Sequence, residues 1–216
     1  MIYLLYDPCS CIWNSESEFD HLLPDARLAK AVRYKRLSDR LLSRTAYFLL
    51  CCGLMREYGT RVFPELSIRA GGKPYICGNP DVHFSFSHCS GGVICSISKN
   101  ETGADIETVN SYQKELFSNV LSENEIAHIE NSSDPDAEFT AVWTMKEAYG
   151  KMSGTGLVYD LKNTSFVPVY EKWYTKNGLS YFSRMNYRTV FSVCRQDISD
   201  ICEISHAELL AFLRDE

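Results

Sequence analysis

The sequence predicts an α+β fold. Strand-like, helical and hairpin-like segments follow one another about once in each half of the 216-residue chain, which carries both the two-residue and the 3.6-residue hydrophobic periodicity. A chain of this length buries a sizeable core as one large domain or as two small lobes. Because no sequence self-similarity accompanies the repeated order, the pattern only suggests a duplicated build with two similar lobes.

The first half begins with an apolar strand, "MIYLLY", followed by a helical region with apolar residues at three- and four-residue spacing. Pro24 marks the expected start of a helix, and Gly59 marks the end of the second one. "LSIRAGGKPYICG" predicts two short strands around a turn. "HFSFSHCSGGVICSISKNETGADIETV" predicts further strands, with "SKNETG" as the turn of a hairpin.

The second half begins with a helical stretch over about residues 111–130, which the polar segment "NSSDPDAEF" should end. "AVWTMKEAYGKMSG" predicts the next helix, closed by Gly154. From Leu157 onward the chain reads as mostly β, and a short helix is expected near "SHAELLAFLRDE".

Composition excludes several classes of protein. With 45% hydrophobic and 23% charged residues the chain is typical of a soluble globular protein, and its net charge of −6 argues against a general nucleic-acid binder. The N-terminus lacks the features of a signal peptide, and no stretch is long and apolar enough for a membrane span. The nine cysteines are scattered without CxxC spacing, so we expect reduced, mostly buried thiols in a cytoplasmic protein rather than a zinc or redox centre.

The stretch "GADIETVN", residues 103–110, places two acidic side chains on one predicted strand. Asp105 and Glu107 are two residues apart, so they point to the same face. Two carboxylates this close repel each other unless a cation lies between them or both face open water. The pair therefore raises the question of which cation it serves.

The stretch "WTMKEAYGK" offers a third carboxylate. Trp143, Glu147 and Lys151 are four residues apart in turn and share one helix face. Alone, this pattern favours a surface Glu–Lys pair beside a half-buried Trp. Together with Asp105 and Glu107, Glu147 completes an all-oxygen set that suits Mg²⁺, whose shell is usually completed by substrate phosphates. Lys151 could then contact the same phosphates as a point charge.

Three weaker signals accompany this set. His88 lies at the end of a predicted strand, where a lone His is more often structural, and "GGKPY" is by itself a turn in which Lys73 adds a charge. The basic residues of the early helices form either a solvated face or the local positive patch that an anionic ligand requires. They are Arg27, Lys30, Arg33, Lys35, Arg36, Arg40 and Arg44.

Taken in order, Arg44, "GGKP", "FSFSH", "GADIE", "SENE" and "WTMKEAYGK" resemble the 4′-phosphopantetheinyl transferases, in particular the broad-specificity surfactin-synthetase type. The family motifs G-[IV]-D-[IV]-E and W-[ST]-x-K-E-[AS]-[FY]-x-K match in order and at fitting distances, and the resemblance covers roughly residues 24–157. Ala104 departs from the Ile or Val that the family prefers, which should loosen packing without touching the ligands.

The resemblance implies two similar α+β lobes related by a pseudo-twofold axis, with the active site in the cleft between them. It divides the chain into residues 1–103, on the adenine and 3′-phosphate side of coenzyme A, and residues 104–216, which carry the metal and catalytic residues. The coenzyme would lie across the cleft, and a protein that already contains a pseudo-dimer is expected to be a monomer.

The resemblance also implies site roles residue by residue. Mg²⁺, with Mn²⁺ as the alternative, would be held by Asp105, Glu107 and Glu147. Glu125, in "SENE", matches the position proposed for the general base, and Lys151 would act at the phosphates with His88. The coenzyme A-binding residues would be Arg27, Lys30, Arg44, Lys73, Pro74, Ser87, His88 and Lys151. Among these, Lys73 and Pro74 would lie by the adenine, and Arg44, helped by Arg27 and Lys30, would hold the 3′-phosphate.

The implied reaction moves the phosphopantetheine arm of coenzyme A onto a serine of an acyl or peptidyl carrier protein and releases 3′,5′-ADP. Residues 109–124 would help to dock the carrier, through an apolar stripe that could equally pack into the core: Leu116, Phe117, Val120 and Leu121. Two other functions stay open, a non-catalytic coenzyme A- or carrier-binding homologue and a metal-dependent diphosphate hydrolase. Product analysis separates the three.

Overall fold

The computed structural model describes residues 1–8, 16–59, 61–156 and 161–214, and within them the chain is a mixed α+β protein. The fold class predicted from the sequence is confirmed. Leu157 and two of the nine cysteines, Cys9 and Cys11, lie outside the described residues.

The helices and strands of the described ranges come in groups along the chain. The strands are β1 (Ile2–Tyr6), β2 (Leu66–Ile68), β3 (Pro74–Ile76), β4 (His83–Cys89), β5 (Gly92–Ser98), β6 (Thr102–Thr108), β7 (Tyr174–Lys176), β8 (Leu179–Asn186), β9 (Thr189–Arg195) and β10 (Ile201–Glu203). The helices are α1 (Asp25–Ala31), α2 (Leu37–Tyr58), α3 (Lys114–Phe117), α4 (Glu123–Glu130), α5 (Pro135–Ser153) and α6 (His206–Arg214). Helices α1 and α2 come between β1 and β2, and α3 to α5 come between β6 and β7.

Two four-stranded sheets and one two-stranded hairpin organise these elements. The first sheet has the order β10-β1-β5-β4, the second has the order β6-β9-β8-β7, and β2 pairs with β3. Helix α2 packs against the first sheet, and α5 packs against β6 and β9 of the second. Between the two sheets lies an apolar cluster that includes Ile2, Ile94, Ala104 and Ile106, so the residue at position 104 is fully buried.

The predicted hairpin around "SKNETG" is wrong. β5 pairs with β1 and β4, whereas β6 pairs with β9 in the other sheet, where Asp105 lies opposite Ser192. The turn chemistry of this segment fits a crossing between sheets as well as it fits a hairpin, and pairing with a distant strand decided the outcome. A hydrogen bond of 2.7 Å between Ser96 Oγ and Thr102 Oγ1 links the two strands across the crossing.

The helix ends follow the sequence signals. Pro24 is the N-cap of α1, and Gly59 and Gly154 end α2 and α5 with φ angles of 71° and 74°, a conformation that favours glycine. The helical stretch expected over about 111–130 is two helices, because Ser122 starts α4 anew with a capping box. Helix α5 begins earlier than expected, at Pro135.

The predicted lobe boundary after residue 103 falls just inside β6, and the pseudo-twofold relation of the halves stays a prediction. The first sheet also takes its edge strand from the far end of the chain, since β10 runs parallel to β1. Seven cysteines of the described ranges are free thiols, and four of them are buried. Among the described residues, no helix is long and apolar enough to cross a membrane.

Candidate active site

Strand β6 brings two acidic side chains to one face. Asp105 and Glu107 are two residues apart on it, and Asp105 is 2% exposed. Asp105 Oδ1 accepts hydrogen bonds from Ser87 Oγ at 2.7 Å and from Lys151 Nζ at 2.5 Å. Within the described part of the chain, Asp105 Oδ2 is buried and has no hydrogen-bond partner. A buried carboxylate oxygen in this condition costs free energy unless a ligand satisfies it.

Helix α5 packs directly on β6 and supplies the third acidic side chain. A Cβ atom on Gly103 would overlap the backbone of Ala148, so glycine at this position lets the strand and the helix approach closely. Glu147 is half-buried, one helical turn before Lys151. Lys151 Nζ also donates to Ser87 Oγ at 3.0 Å. The structure therefore brings side chains of β4, β6 and α5 together at one point.

The carboxyl groups of Glu107 and Glu147 hold their protons more tightly than exposed carboxyls do. Burial and the charge of Asp105 raise the pKa of Glu107 to about 7, with a smaller contribution from Glu147 and an opposing one from Lys151. Burial and Asp105 also raise the pKa of Glu147. The charge of Asp105 thus disfavours the ionised forms of Glu107 and Glu147, and a cation between the three groups would relieve that repulsion.

Asp105, Glu107 and Glu147 could hold a hard divalent cation. In the described ranges, no three His, Cys, Asp or Glu side chains are grouped closely enough to form a metal site by themselves. The donor set nevertheless fits Mg²⁺, because every donor is a carboxylate oxygen and the buried Oδ2 of Asp105 has no partner in the described part of the chain. Mg²⁺ usually binds through one or two carboxylates and completes its shell with water and substrate phosphates.

His88 lies beside this cluster on β4 and is held in its neutral form. Burial, together with the smaller effects of the Lys151 and Arg27 charges, lowers the pKa of its imidazole to about 4. The ring of Tyr34 meets the imidazole edge-on, with 6.2 Å between the ring centroids. A neutral imidazole can donate one N–H hydrogen bond to a ligand without adding a positive charge.

Helix α1 supplies two of the predicted basic residues. Arg27 is 6% exposed, and its guanidinium lies over the rings of Tyr47 and Phe86 and donates to the carbonyl oxygen of Ser43 at 2.9 Å. In the described residues its Nε is buried without a partner, and burial lowers the pKa of the group. Lys30, one turn later, is exposed.

A cavity of about 270 Å³ lies between the β2–β3 hairpin, β4 and the end of α5. Four of the predicted coenzyme A-binding residues line it: Lys30, Lys73, Pro74 and Lys151. These residues come from distant parts of the chain, and they border the cluster around Asp105 because Lys151 belongs to both.

Lys73 has an ammonium that is already engaged. Its Nζ donates to Glu101 Oε2 at 2.5 Å and to the carbonyl oxygens of Thr102 and Met152, both at 3.0 Å. The side chain is 9% exposed, and burial lowers its pKa. Sequence analysis missed Glu101, because an acidic residue in the polar turn "SKNETG" gave no sign of a partner.

Arg44 is not among the residues that line the cavity. Its side chain is 1% exposed, and its guanidinium donates to both carboxylate oxygens of Asp20, at 2.7 and 3.2 Å. Glu16 lies 3.4 Å from Nη1. A phosphate at Arg44 would have to compete with these carboxylates. Its assignment to the 3′-phosphate stays a prediction.

Glu125 is 0% exposed and accepts hydrogen bonds with both carboxylate oxygens. The donors are the backbone N–H of Ser122 and of Phe166, each at 2.7 Å, and Lys146 Nζ lies 2.9 Å from Oε1. Lys146 also donates to the carbonyl oxygen of Thr164 at 3.0 Å. Glu125 thus joins α4, α5 and the segment before β7, and its role as the general base stays a prediction.

Sequence analysis also missed Lys146, although it directly precedes Glu147. Neighbouring helix residues point about 100° apart, so the two side chains face different surroundings. Lys146 continues an apolar stripe formed by Phe139, Val142 and Tyr149. That stripe was the available signal for burial, and the side chain is 0% exposed.

The apolar stripe of residues 109–124 is divided between core and surface. Leu121 is fully buried in a cluster with Phe139, whereas Leu116 is 68% exposed. Leu116 also borders a second cavity of about 420 Å³, which Phe117 and Trp143 line as well. Trp143 precedes Glu147 by one turn of α5, so the two side chains share a helix face.

Comparison with known proteins identifies similar sequences. The family model described as the 4′-phosphopantetheinyl transferase superfamily matches residues 101–198. A Candida glabrata protein named L-aminoadipate-semialdehyde dehydrogenase-phosphopantetheinyl transferase is 30% identical over 182 residues, which cover 75% of this chain and 67% of that protein.

Two further relatives agree with this match. A Saccharomyces cerevisiae protein of the same name is 32% identical over 67% of this chain and 57% of its own length. The 4′-phosphopantetheinyl transferase Sfp of Bacillus subtilis is 33% identical over 47% of this chain and 46% of its own length. The chain thus spans about half the length of these two curated relatives.

Proposed function

The chain belongs to the 4′-phosphopantetheinyl transferase superfamily, and we propose that it transfers the 4′-phosphopantetheine arm of coenzyme A to a serine hydroxyl of an acyl or peptidyl carrier protein. The observation that carries this proposal is the environment of Asp105. One of its oxygens binds Ser87 and Lys151, and the other is buried beside Glu107 and Glu147, without a hydrogen-bond partner among the residues that the structure describes. That arrangement suits a substrate that arrives with phosphate groups and a cation.

In the reaction, the serine oxygen forms a bond to the phosphorus next to the pantetheine, and the bond from that phosphorus to the bridging oxygen breaks. The released group is 3′,5′-ADP. Asp105, Glu107 and Glu147 would hold Mg²⁺ or Mn²⁺, which when bound supplies positive charge to the diphosphate oxygens. The negative oxygens of a diphosphate otherwise repel an incoming nucleophile.

Lys151 supplies the charge that the protein itself brings to the phosphates. Its ammonium lies 2.5 Å from Asp105 Oδ1, and the side chain is about one-third exposed, which leaves it open to a ligand. His88 adds an N–H donor without a charge, because its pKa is lowered to about 4. Ser87 fixes Asp105 Oδ1 through its hydroxyl. Groups positioned before the substrate arrives need no reorganisation in the transition state.

The serine proton also needs an acceptor, and the resemblance to the family implies Glu125 for this role. For a direct transfer, the carrier serine would have to reach a carboxylate that is 0% exposed and already accepts hydrogen bonds with both oxygens. We therefore keep the assignment as a proposal that a matched pair of variants must test.

Coenzyme A is proposed to lie along the cavity bordered by Lys30, Lys73, Pro74 and Lys151. The adenine would lie by Lys73 and Pro74, in the part of the chain before residue 104. The 3′-phosphate would be held by Arg44 with Arg27 and Lys30. The metal and the reacting phosphates would lie on the part that begins at residue 104.

The carrier protein is proposed to dock on residues 109–124. Leu116, 68% exposed, and the cavity beside Phe117 and Trp143 offer an apolar contact next to the acidic cluster. We further propose a cytoplasmic monomer, since the cysteines of the described ranges are free thiols and one chain supplies both walls of the cavity.

Intact-mass spectrometry of a panel of apo-carrier proteins, incubated with coenzyme A, Mg²⁺ and this protein, tests the proposal. We expect the mass of at least one carrier to rise by one phosphopantetheine arm, attached at a serine, and to stay unchanged when EDTA is present. Consumption of coenzyme A with no change in carrier mass would identify a diphosphate hydrolase instead. If neither coenzyme A nor any carrier changes, the chain is a non-catalytic homologue.

A further inference from the structure

Lys73 connects two parts of the molecule that face each other across the cavity. Its backbone belongs to the turn of the β2–β3 hairpin, whereas its ammonium contacts Glu101, the first residue of β6 and the last turn of α5. A lysine ammonium has three N–H donors, and three acceptors surround this one. No donor is left for a phosphate or for the adenine.

The contact at α5 satisfies a group that the helix cannot satisfy itself. Met152 lies one residue before the end of α5 at Ser153, where the last four carbonyl oxygens lack a partner within the helix. A positive charge at this end is also favoured by the helix dipole. The hydrogen bond from Lys73 therefore fixes the end of the helix to the hairpin.

A second contact of the same hairpin supports this interpretation. The position that a Cβ atom on Gly71 would occupy is taken by the carbonyl oxygen of Gly154, which ends α5. The backbone of the hairpin turn thus rests directly on the backbone at the helix end. Two independent contacts, one from a side chain and one from the backbone, set the distance between the hairpin and α5.

This distance matters because the hairpin and the end of α5 form two walls of the 270 Å³ cavity. Lys151, on the helix wall, lies one residue before Met152 and also binds Asp105. We propose that Lys73 is a positioning residue, whose ammonium sets the width of the cavity and the placement of Lys151. That the cavity holds coenzyme A rests on the proposed function.

Arg69 provides a matched control on the same hairpin. Its Nη1 lies 2.7 Å from Glu101 Oε1, so it shares the carboxylate partner of Lys73. Its side chain is 43% exposed, whereas that of Lys73 is 9% exposed. Lys73→Met and Arg69→Met each remove one cation from Glu101, but only Lys73→Met also releases the two backbone carbonyl oxygens.

The test combines calorimetric titration with coenzyme A and amide hydrogen exchange of the ligand-free protein. We expect Lys73→Met to raise the Kd for coenzyme A about tenfold, the effect of losing one charged hydrogen bond, and to speed exchange at residues 150–156. Arg69→Met should leave both within about twofold of wild type, as expected for an exposed ion pair.

Two results would overturn the proposal. If Lys73→Met weakens coenzyme A while exchange at residues 150–156 stays as in wild type, Lys73 contacts the ligand directly. If exchange speeds up while the Kd is unchanged, the connection has no role in shaping the cavity.

Should Lys73→Met fail to fold, Lys73→Arg and Glu101→Gln replace it. Glu101→Gln keeps both carbonyl contacts of Lys73, so we expect it to change exchange at residues 150–156 less than Lys73→Arg does; the reverse order would contradict the proposal. If wild type itself does not bind coenzyme A, the proposed function fails, and the exchange measurements still decide whether Lys73 positions the end of α5.

Discussion

Helix α5 carries two lysines that pair with carboxylates in opposite ways. Lys146 pairs with Glu125 where both side chains are 0% exposed. Lys151, five residues later on the helix, pairs with Asp105 where the lysine is 32% exposed and the aspartate 3%. The sequence does not distinguish the two pairs. We call Lys146–Glu125 the closed pair, because both side chains are fully buried, and Lys151–Asp105 the open pair, because the lysine is partly exposed.

The difference between the pairs lies in what remains for a ligand to do. In the closed pair, backbone N–H groups of Ser122 and Phe166 bind the carboxylate, and Lys146 also binds a backbone carbonyl oxygen. In the open pair, within the described residues, Asp105 Oδ2 is left without a partner. The closed pair holds helices and backbone segments together. The open pair keeps a carboxylate oxygen that can still bind a ligand or a cation.

The largest expected effect comes from Asp105→Asn, which breaks the open pair. It removes a charge from the predicted metal site and should lower kcat/KM for carrier modification at least about a hundredfold, with little change in the melting temperature. EDTA should do the same to wild type. Asp197→Asn is a control, because Asp197 pairs with Arg195 at 2.9 Å and is not a predicted site residue. Full activity of wild type in chelator would contradict the metal assignment.

The closed pair is tested by Glu125→Gln and Lys146→Met together. Each leaves a buried partner uncompensated, so each should lower the free energy of unfolding by about 3–5 kcal/mol, measured by urea denaturation. If the pair only holds α4 and α5 together, kcat per folded molecule should decrease slightly, and to the same extent in both variants.

A general-base role for Glu125 would show differently. Glu125→Gln alone would then lose about 10²–10⁴-fold in kcat, keep its affinity for coenzyme A, and lose the acidic limb of its pH–rate profile. Lys146→Met would show no such loss per folded molecule. The two variants therefore separate the sequence-based prediction from the role that the buried geometry favours.

Sequence patterns were sufficient to predict features that depend only on residues close together in the chain. Pro24, Gly59 and Gly154 mark helix ends through backbone preferences that act within one turn, and Asp105 and Glu107 share a face through strand geometry alone. The partner of β6 could not be predicted in this way, because pairing with β9 joins segments about ninety residues apart along the chain.

Burial of polar side chains was the other failure of local reasoning. Glu101 and Lys146 are charged residues in ordinary polar surroundings of sequence, and only the folded chain shows that they bind Lys73 and Glu125. The same applies to Arg44, whose partner Asp20 lies outside every motif used in the sequence analysis.

Arg44 extends the comparison to a third cation that pairs with a carboxylate, and the effect predicted for its loss is smaller. If it holds the 3′-phosphate, dephospho-coenzyme A should be a poor substrate, and Arg44→Ala should narrow the gap between the two substrates. A charged contact of this kind is worth about 1.5–3 kcal/mol, or about one to two decades in kcat/KM. Asp20→Asn removes the carboxylate that competes for Arg44, and it should lower the Kd for coenzyme A.

Equal weakening of both substrates by Arg44→Ala would contradict the phosphate role. Arg44 would then belong with the closed pair, as a cation that only ties the segment around Asp20 to α2. The melting temperatures of the two variants supply the control, because loss of either partner should lower them whichever role is correct.

The smallest expected effect concerns His88, the neutral neighbour of the open pair. Its pKa is lowered from 6.5 to about 4 in the folded protein, so between these pH values the unfolded chain binds a proton that the folded chain does not. Stability from this group is therefore fully present above pH 6.5 and is lost as the pH falls toward 4. The loss should be about 1–2 kcal/mol, since the ring is partly exposed.

Urea unfolding of wild type and His88→Gln across this range measures the loss. Wild type should lose stability relative to the variant as the pH falls. Parallel curves for wild type and His88→Gln would show that His88 is not held neutral by the fold, and its place beside Lys151 would then have to be that of a charged phosphate ligand.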